Sequence, residues 1–446
     1  MIRRKDHLSA LWVAARCAGM TREAILAFQS ARLRRLVSHA YENVPYYRRL
    51  FDQHGITPRD IRTAADLALI PVTVKRDLQA ASPSDIVARG VRPERLIAHH
   101  TSGSSGEPLV IRRTWFEERL GTVLKLRVFH DFGLRPTDRQ VGVGLVRSRP
   151  WIRDLPQHIL RGTGFYRWAA IDCRLPIEDI RRTLRSLRPD AILAYPGVIA
   201  RVAQLLTNED RQLLRPRLVL TGAEVLTPLM RRQIAEGLRA SVFDWYGSHE
   251  LGMIAWQCRR AGGFHVADDS LILEVLKDGR PARPGETGEV VGTRLHALAM
   301  PFIRYKLGDA VVQGDAPCPC GAPFSAIRSV QGRMLDYFPL PDGRVLHPYS
   351  LSMTLLDEAA HWLCQYQITQ ESKDRVVLRM VPRATPSPED LAKVRQALIA
   401  HLGAGVELEM LLVPEIALEP SGKFRVSRSL VESAYDSVEP AAGRST

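Results

Sequence analysis

The segment 101–108 brings hydroxyl side chains and glycines together directly after an apolar run at 96–98. Glycine lets a backbone curl and expose its N–H groups, while serine and threonine hydroxyls add short hydrogen-bond donors. Such a loop is suited to gripping a polyphosphate, although the same residue types dominate ordinary surface turns for conformational reasons. Both interpretations stand at this point. The candidate ligands in the loop are Thr101, Ser102, Gly103, Ser104, Ser105 and Gly106.

Two familiar nucleotide-binding loops are missing from the sequence. No G-x-x-x-x-G-K-[ST] string occurs, and Gly142-Val143-Gly144 lacks the third glycine of a dinucleotide fingerprint. The G-x-S-x-G elbow of an α/β-hydrolase is missing as well. A nucleotide site in this chain would therefore follow another scheme.

The composition limits the class of protein. The chain has 446 residues and a net charge of +14, from 62 basic and 48 acidic residues spread along its length. This excess favours anionic substrates but forms no basic stripe, so nucleic acid is not expected as a partner. No apolar run approaches the ~20 residues that span a bilayer. Six cysteines suggest no disulfide scaffold, which fits a reducing compartment, and we expect a cytoplasmic protein.

Strand-like and helical patterns alternate between residues 140 and 250, which is typical of a mostly parallel sheet with crossover helices. The expected strands include 191–195, 217–220 and 241–246. Two polar motifs, at 221–224 and 246–250, lie at the carboxyl ends of the last two of these strands. Ligands of open α/β sheets bind at that edge, so we expect a site there.

The fold class expected from these patterns is α/β, with two domains. Residues 1–332 would form a large N-terminal domain of mixed and parallel sheets with helices, more β-rich from residue 268. Residues 333–446 would form a small α+β domain, with strands at 363–369, 375–381 and 406–413 and a helix that begins at Ser387-Pro388.

Four further features follow the hydroxyl-rich loop in order, the third being Gly332-Arg333-Met334-Leu335-Asp336 at the expected domain junction. Glu250 lies at a strand end, where a carboxylate can hold Mg²⁺ against phosphates, and nearby Tyr246 can stack on a base. Asp309, after the Gly308 turn, is suited to accept hydrogen bonds from two ribose hydroxyls. Lys423 lies on a glycine-containing loop near the C-terminus. Each feature alone is more often structural, but in this order they predict a nucleotide site.

With these residues in place, the chain resembles the adenylate-forming superfamily of acyl-coenzyme A synthetases, and within it the phenylacetate–coenzyme A ligase family. The similarity covers nearly the whole length and includes Pro45-Tyr46-Tyr47, Ala194-Tyr195-Pro196-Gly197 and the segment 304–309. The stretch at 299–305, Ala-Met-Pro-Phe-Ile-Arg-Tyr, is similar to the branch often encoded with capsule or exopolysaccharide genes.

The resemblance implies a two-step reaction with ATP, Mg²⁺ and CoA. A small-molecule carboxylate, aryl or small acyl, attacks the α-phosphate of ATP to give an acyl-adenylate and pyrophosphate. A thiol, usually that of CoA, then displaces AMP. Positioning and charge neutralisation would carry the first step. A mobile C-terminal domain would then rotate near Asp336 to expose a thiol-binding face.

The same resemblance implies roles for single residues. Loop residues 101–105 would hold the β- and γ-phosphates, Glu250 would hold Mg²⁺, and Lys423 would bridge the carboxylate and the α-phosphate. Glu250 and Lys423 are thus the expected catalytic residues. The further nucleotide ligands would be Gly222, Ala223 and Glu224 beside adenine, Tyr246 stacked on it, the adjacent Gly247, Asp309 at the ribose, and Arg333 nearby.

Three positions depart from the family pattern. Glu107 stands where many relatives have a lysine, and His249 replaces the Thr or Ser that usually precedes the metal-binding glutamate. The segment 332–336 lacks the paired acidic residues that are common at the hinge. These departures leave room for a slow or altered enzyme.

A tight pair of thiols, Cys318 and Cys320, lies downstream of Cys258 and His265. The four could form a tetrahedral Cys₃His zinc site of the structural kind. The phenylacetate–coenzyme A ligase family includes members with a similar cysteine arrangement. Because C-x-C spacing is less diagnostic than paired C-x-x-C, three free thiols and a surface histidine stay open as the alternative.

Three functions are therefore weighed. The first is an ATP-dependent, AMP-forming acyl-CoA ligase, for which the branch suggests a link to polysaccharide biosynthesis. The second keeps adenylation but uses a non-CoA acceptor, such as a carrier protein or a sugar amine. The third is a catalytically inactive nucleotide-binding partner protein, which the retention of Lys423, Glu250 and Asp309 disfavours. The acid and the oligomeric state stay open, a homodimer being one option.

Overall fold

The computed structural model describes residues 19–100, 109–146, 167–315, 318–333, 337–346, 348–419 and 422–431. The chain divides into two compact units, Met1–Gly133 with Trp245–Val330, and Leu134–Asp244 with Gln331–Thr446. The expected boundary between residues 332 and 333 stays a prediction. Within the described ranges, no helix is both long and apolar enough to cross a membrane.

The described α-helices have the following bounds: α1 Arg22–Asn43, α2 Pro45–Gln53, α3 Lys75–Ala80, α4 Pro83–Ile86, α5 Trp115–Asp131, α6 Ile177–Leu187, α7 Pro196–Leu205, α8 Asn208–Leu213, α9 Pro228–Leu238, α10 Pro348–Ala359 and α11 Pro388–Leu402. Short 3₁₀ turns occupy Ala64–Leu69 and Pro93–Arg95.

The described strands have the following bounds: β1 Ile97–His100, β2 Val110–Arg113, β3 Gln140–Gly144, β4 Trp168–Asp172, β5 Ala191–Ala194, β6 Leu218–Gly222, β7 Ser241–Ser248, β8 Gly252–Gln257, β9 Phe264–Val266, β10 Leu271–Lys277, β11 Arg280–Pro281, β12 Thr287–Arg294, β13 Tyr305–Gln313, β14 Ala326–Arg333, β15 Phe338–Pro339, β16 Val345–Leu346, β17 Leu363–Ser372, β18 Arg375–Pro382, β19 Glu407–Leu412 and β20 Ser427–Ser429.

The first unit contains an antiparallel arrangement of strands. Their order is β11-β10-β12-β13-β14-β9-β8-β7, and β10, β12 and β13 pair antiparallel in succession. Helix α1 begins at Thr21, whose hydroxyl accepts the N–H of Ala24 at 3.3 Å. Its apolar face packs with Phe51 of α2, Ile272 of β10 and Ile303 in one buried cluster. This core supports the start of β13, the strand that carries Asp309.

The second unit contains the predicted parallel sheet. Strands β6, β5, β3 and β4 lie in that order, and each neighbouring pair is parallel. Helix α9 follows β6, with Thr227 as its N-cap and Pro228 at its first position. Because β6 ends at Gly222, the 221–224 motif does lie at the carboxyl end of a parallel strand.

The C-terminal part of the second unit is the predicted α+β module. Its strand order is β19-β18-β17-β20, with β17 and β18 antiparallel and the outer pairs parallel. Helix α11 begins after Ser387, which forms a capping box with Asp390. Val394, Leu398 and Phe424 belong to the same buried cluster as Val198 of α7. The stretch that follows Lys423 is therefore part of this unit's core.

Candidate active site

The hydroxyl-rich loop itself, from Thr101 to Gly106, lies outside the described residues, as does Asp336. The strands on either side of the loop are described, however. They pair antiparallel, with Ile97 opposite Arg113 and His100 opposite Val110. The loop residues therefore connect two paired strands, β1 and β2.

The stem of this hairpin is tied to the turn that carries the metal-binding candidate. The Arg113 guanidinium donates to Glu118 Oε2 at 3.0 Å and to the backbone carbonyl of His249. The His99 ring stacks on the His249 ring, with centroids 5.4 Å apart, and its Nε2 lies 3.1 Å from Glu118 Oε2. His249, which lacks the hydroxyl usual at this position, thus lies beside the cluster of His99, Arg113 and Glu118.

Glu118 is the anionic centre of this cluster. The His99 imidazole that donates to its carboxylate, together with the Arg113 guanidinium, lowers the pKa of Glu118 to about 2. The carboxylate is therefore ionised at neutral pH and holds the Arg113 guanidinium and the His99 ring at the base of the hairpin.

Glu250 lies in the turn between β7 and β8 and is 6% exposed. Its carboxylate Oε1 is 3.4 Å from the Tyr305 hydroxyl, and its backbone carbonyl accepts from Arg294 Nη1 at 3.2 Å. A carboxylate is the kind of oxygen ligand that Mg²⁺ prefers, so this residue fits the expected metal role.

Arg294 is a buried cation beneath the Glu250 turn that sequence analysis missed. Burial lowers the pKa of its guanidinium to about 9, and the nearby Arg113 acts in the same direction. A signal was present in the sequence, because Arg294 ends the otherwise apolar and neutral run of β12 from Val290. A charged group at the end of a buried apolar strand is costly to bury unless it is paired or hydrogen-bonded. Such a residue therefore indicates a polar contact at that end of the strand.

Tyr246 and Asp309, the expected adenine and ribose ligands, contact each other directly. The Tyr246 hydroxyl donates to Asp309 Oδ2 at 2.6 Å, and the side chains are 8% and 7% exposed. Asp309 follows Gly308, whose φ of +80° requires the left-handed conformation that glycine adopts freely. Gly247 has no room for a side chain, since a Cβ there would lie 2.5 Å from the Gly252 carbonyl oxygen.

The 221–224 motif bends sharply after β6. Ala223 has φ of +69°, a conformation that costs an L-residue roughly 1–2 kcal/mol, and it is exposed. Gly222, at the strand end, is buried. Gly332 approaches the residue that follows this motif, because a Cβ on it would lie 3.2 Å from Val225 Cγ2. Arg333, the next residue, is exposed.

Glu224 has a role that the sequence did not indicate. Its Oε2 accepts the N–H of Gly197 at 3.0 Å, and its Oε1 accepts the N–H of Phe424 at 2.6 Å. Phe424 directly follows Lys423, the expected catalytic lysine. The 221–224 motif and the Lys423 backbone are thus brought together within the second unit.

The four predicted zinc ligands converge in the first unit. Their ligand atoms, from Cys258, His265, Cys318 and Cys320, all lie within 4.8 Å of one another. The sulfurs of Cys258 and Cys318 are 3.9 Å apart, close to the ~3.8 Å that tetrahedral Zn–S bonds of about 2.3 Å require. The donor set fits a structural zinc ion, and the free-thiol alternative gives no reason for this convergence.

The expected site residues therefore form two groups. Tyr246, Gly247, Glu250 and Asp309 lie in the first unit, and Gly222, Ala223, Glu224, Arg333 and Lys423 lie in the second. Contacts within each group are described above. Their assignment to a nucleotide stays a prediction.

Comparison with known proteins finds several relatives, although no family model matches the sequence. The phenylacetate–coenzyme A ligase of Thermus thermophilus is 30% identical over 338 residues, which cover 71% of this chain and 72% of that protein. Protein CapK of Staphylococcus aureus is 20% identical over 415 residues, 90% of this chain and 88% of CapK.

A solved structure agrees in fold. The 2-hydroxyisobutyryl-CoA ligase, in the postadenylation state in complex with R3-HIB-AMP, superposes with a TM-score of 0.75 at 20% identity, covering 94% of this chain and 92% of that chain. The predicted α/β fold class and the predicted adenylate-forming superfamily are confirmed. Because the Thermus thermophilus protein is 30% identical and is covered over 72% of its length, the chain belongs to the phenylacetate–coenzyme A ligase family.

Proposed function

We propose that this chain is an ATP-dependent, AMP-forming acid–thiol ligase that adenylates a small carboxylic acid and transfers the acyl group to CoA. The observation that carries the proposal is one connected set of contacts within the first unit. Arg113 ties the stem of the hydroxyl-rich loop to His249, next to Glu250, and Tyr246 on the same strand-and-turn segment binds Asp309. The stem of the expected phosphate loop, the turn that carries the expected metal ligand and the expected ribose ligand thus all lie in the first unit.

In the adenylation step, an oxygen of the acid's carboxylate forms a bond to the α-phosphorus, and the bond from that phosphorus to pyrophosphate breaks. No proton has to be transferred. The Lys423 ammonium would neutralise charge between the two anions, and the Asp309 carboxylate would accept hydrogen bonds from the ribose hydroxyls. Glu250 would hold Mg²⁺, whose charge would offset that of the phosphates.

In the second step, the CoA sulfur bonds to the acyl carbon, AMP leaves as its phosphate anion, and the thiol proton passes to water.

Arg113 and Arg294 keep fixed positive charge beneath the Glu250 turn. Such charge favours binding of anions before any chemistry begins. The link to polysaccharide biosynthesis stays a prediction from the sequence.

The proposal is tested by ATP–pyrophosphate exchange with a panel of aryl and short aliphatic acids, followed by thioester assays with CoA. We expect exchange with at least one acid, loss of exchange in Glu250→Gln, and thioester formation with CoA. Glu236→Gln, at an exposed position of α9, is the matched control. Failure of exchange with every acid would refute the proposal, and exchange without any thioester would favour a different acceptor.

We also propose that Cys258, His265, Cys318 and Cys320 bind one structural zinc ion. Backbone N–H groups support the sulfurs: Ala261 donates to Cys258 Sγ at 3.3 Å, and Ala322 donates to Cys320 Sγ at 3.4 Å. Such outer contacts orient ligands and stabilise thiolates. Four protein ligands leave no open position, so zinc would stabilise the first unit without taking part in the reaction.

A further inference from the structure

The segment 422–424, which carries Lys423, is held on both sides of the lysine. On one side, Gly422 has φ of +72°, and a Cβ there would lie 2.4 Å from the Cys173 sulfur. On the other side, Phe424 is 3% exposed and packs so closely that a Cβ on Gly197 would lie 2.4 Å from its own Cβ. The lysine backbone therefore has one tightly fitted position in this arrangement.

Glu224 supplies the polar part of this fit. Its two carboxylate oxygens accept from two different backbone amides, Gly197 on α7 and Phe424. Gly197 is the second residue of α7, where backbone N–H groups have no partner inside the helix and the helix dipole is positive. The Glu224 carboxyl group accepts from this N–H and thereby links the helix start to the residue after Lys423.

We infer that Glu224 is a positioning residue that holds Lys423 in place for adenylation, rather than a group that borders adenine. The inference rests on the proposed function, because that function gives Lys423 its role. If the C-terminal module turns away for the thiol step, the hydrogen bond between Glu224 and Phe424 has to break. Glu224 then affects adenylation through the lysine and leaves the thiol step unaffected.

The charges around Glu224 give a second readout. The titratable groups that face it are the Lys423 ammonium, the Glu419 carboxylate and the Cys173 thiol. Burial raises the pKa of Glu224 to about 7, while the Gly197 and Phe424 amides and Lys423 act in the opposite direction. We call the segment 422–424 docked when the Phe424 N–H donates to Glu224, and released when this bond is broken. Release would expose the Glu224 carboxylate to water and return its pKa toward the ordinary 4.5. The docked state thus binds a proton more tightly, so docking weakens as the pH rises from about 4.5 to about 7 and is constant above that range.

The first test measures docking without any substrate. Hydrogen exchange of the peptide covering 422–426 is compared in wild type, Glu224→Ala, Glu224→Gln and the exposed control Glu236→Gln. Loss of the acceptor for a buried N–H should speed exchange of the Phe424 amide by about tenfold to a hundredfold in Glu224→Ala. Glu224→Gln, which keeps one acceptor oxygen, should be intermediate, and the control should match wild type.

The second test separates the half-reactions, with phenylacetate as the probe acid and chemically prepared phenylacetyl-adenylate plus CoA for the thiol step. We expect Glu224→Ala to slow adenylation by about tenfold to a hundredfold and to leave the thiol step within about twofold of wild type. The adenylation rate of wild type, divided by that of Glu224→Gln at the same pH, should fall as the pH rises from about 4.5 to about 7.

Unchanged exchange of the Phe424 amide, or an equal loss in both half-reactions, would overturn the inference. Wild-type protein that is inert toward the whole acid panel would instead refute the proposed function. The amide exchange would then still decide whether Glu224 holds the segment. The two failures are therefore distinguishable.

Discussion

Removal of the Tyr246 hydroxyl tests the contact that joins β7 to β13 in the proposed nucleotide site. The hydroxyl donates to Asp309 at 2.6 Å, and both side chains are more than nine-tenths buried. A hydrogen bond to an ionised acceptor contributes about 1.5–3 kcal/mol, and a buried acceptor that loses its donor has a similar cost. We therefore expect Tyr246→Phe to lower the free energy of unfolding by about 2 kcal/mol.

Tyr305 provides a matched control for this substitution. Its hydroxyl also faces a buried carboxylate, that of Glu250, but at 3.4 Å. This distance is beyond the usual range for an O–H···O bond, so loss of the Tyr305–Glu250 pair should cost less than about 1 kcal/mol. The two costs are measured by urea unfolding of the nucleotide-free protein, followed by tryptophan fluorescence and by circular dichroism in parallel.

A double-mutant cycle with Asp309→Asn isolates the Tyr246–Asp309 pair from other effects of each change. We expect a coupling energy of about 1–3 kcal/mol, because the two groups are in direct contact. The reasoning fails if Tyr246→Phe is no more destabilising than Tyr305→Phe, or if the cycle shows additive effects. Either result would mean that the phenol does not stabilise the carboxylate.

Four further outcomes are expected. Lys423→Ala should abolish pyrophosphate exchange but retain the thiol step from a supplied acyl-adenylate; normal exchange would refute its assigned role. Cys258→Ser should lower zinc from one ion per chain to none by elemental analysis and lower the melting temperature, and wild type without zinc would refute the site. Because the pKa of Glu118 is held at about 2, its stabilisation is present above pH 4.5 and is lost as the pH falls toward 2. Glu118→Gln should therefore flatten the acid dependence of unfolding over that window, and an unchanged dependence would contradict the role of its partner His99. Ala223→Gly should raise stability by up to about 1 kcal/mol by relieving the positive φ, and a lower melting temperature would contradict the strain.

Local patterns predicted most of the regular structure. The strands at 363–369 and 375–381 were predicted from apolar runs, and the structure extends them by only a few residues. Thr227 and Ser387 were recognisable as N-caps because each precedes a proline and an apolar helical repeat. These features depend on neighbours in sequence, which is why sequence alone identifies them.

The contacts that organise the site depend on residues far apart in sequence. Arg113 is 136 positions from His249, and Glu224 is 200 positions from Phe424. No periodicity or cap records such a pairing, since it arises only when separate strands and helices pack. The family resemblance predicted which residues matter, but it could not say that the Glu224 carboxylate would accept the amide after Lys423.

The contacts of the hairpin stem bear on two departures of this chain from the family pattern. Glu107 removes a positive charge from the loop, and His249 removes a hydroxyl from the metal-binding turn. Arg113 of the stem and Arg294 of β12 donate to the backbone carbonyls of His249 and Glu250, respectively. Positive charge that the loop sequence lacks is thus present at the Glu250 turn, on side chains held by hydrogen bonds to that turn. Guanidinium groups that are already held by hydrogen bonds need no rearrangement when an anion binds. Such preorganisation is the condition for effective electrostatic stabilisation.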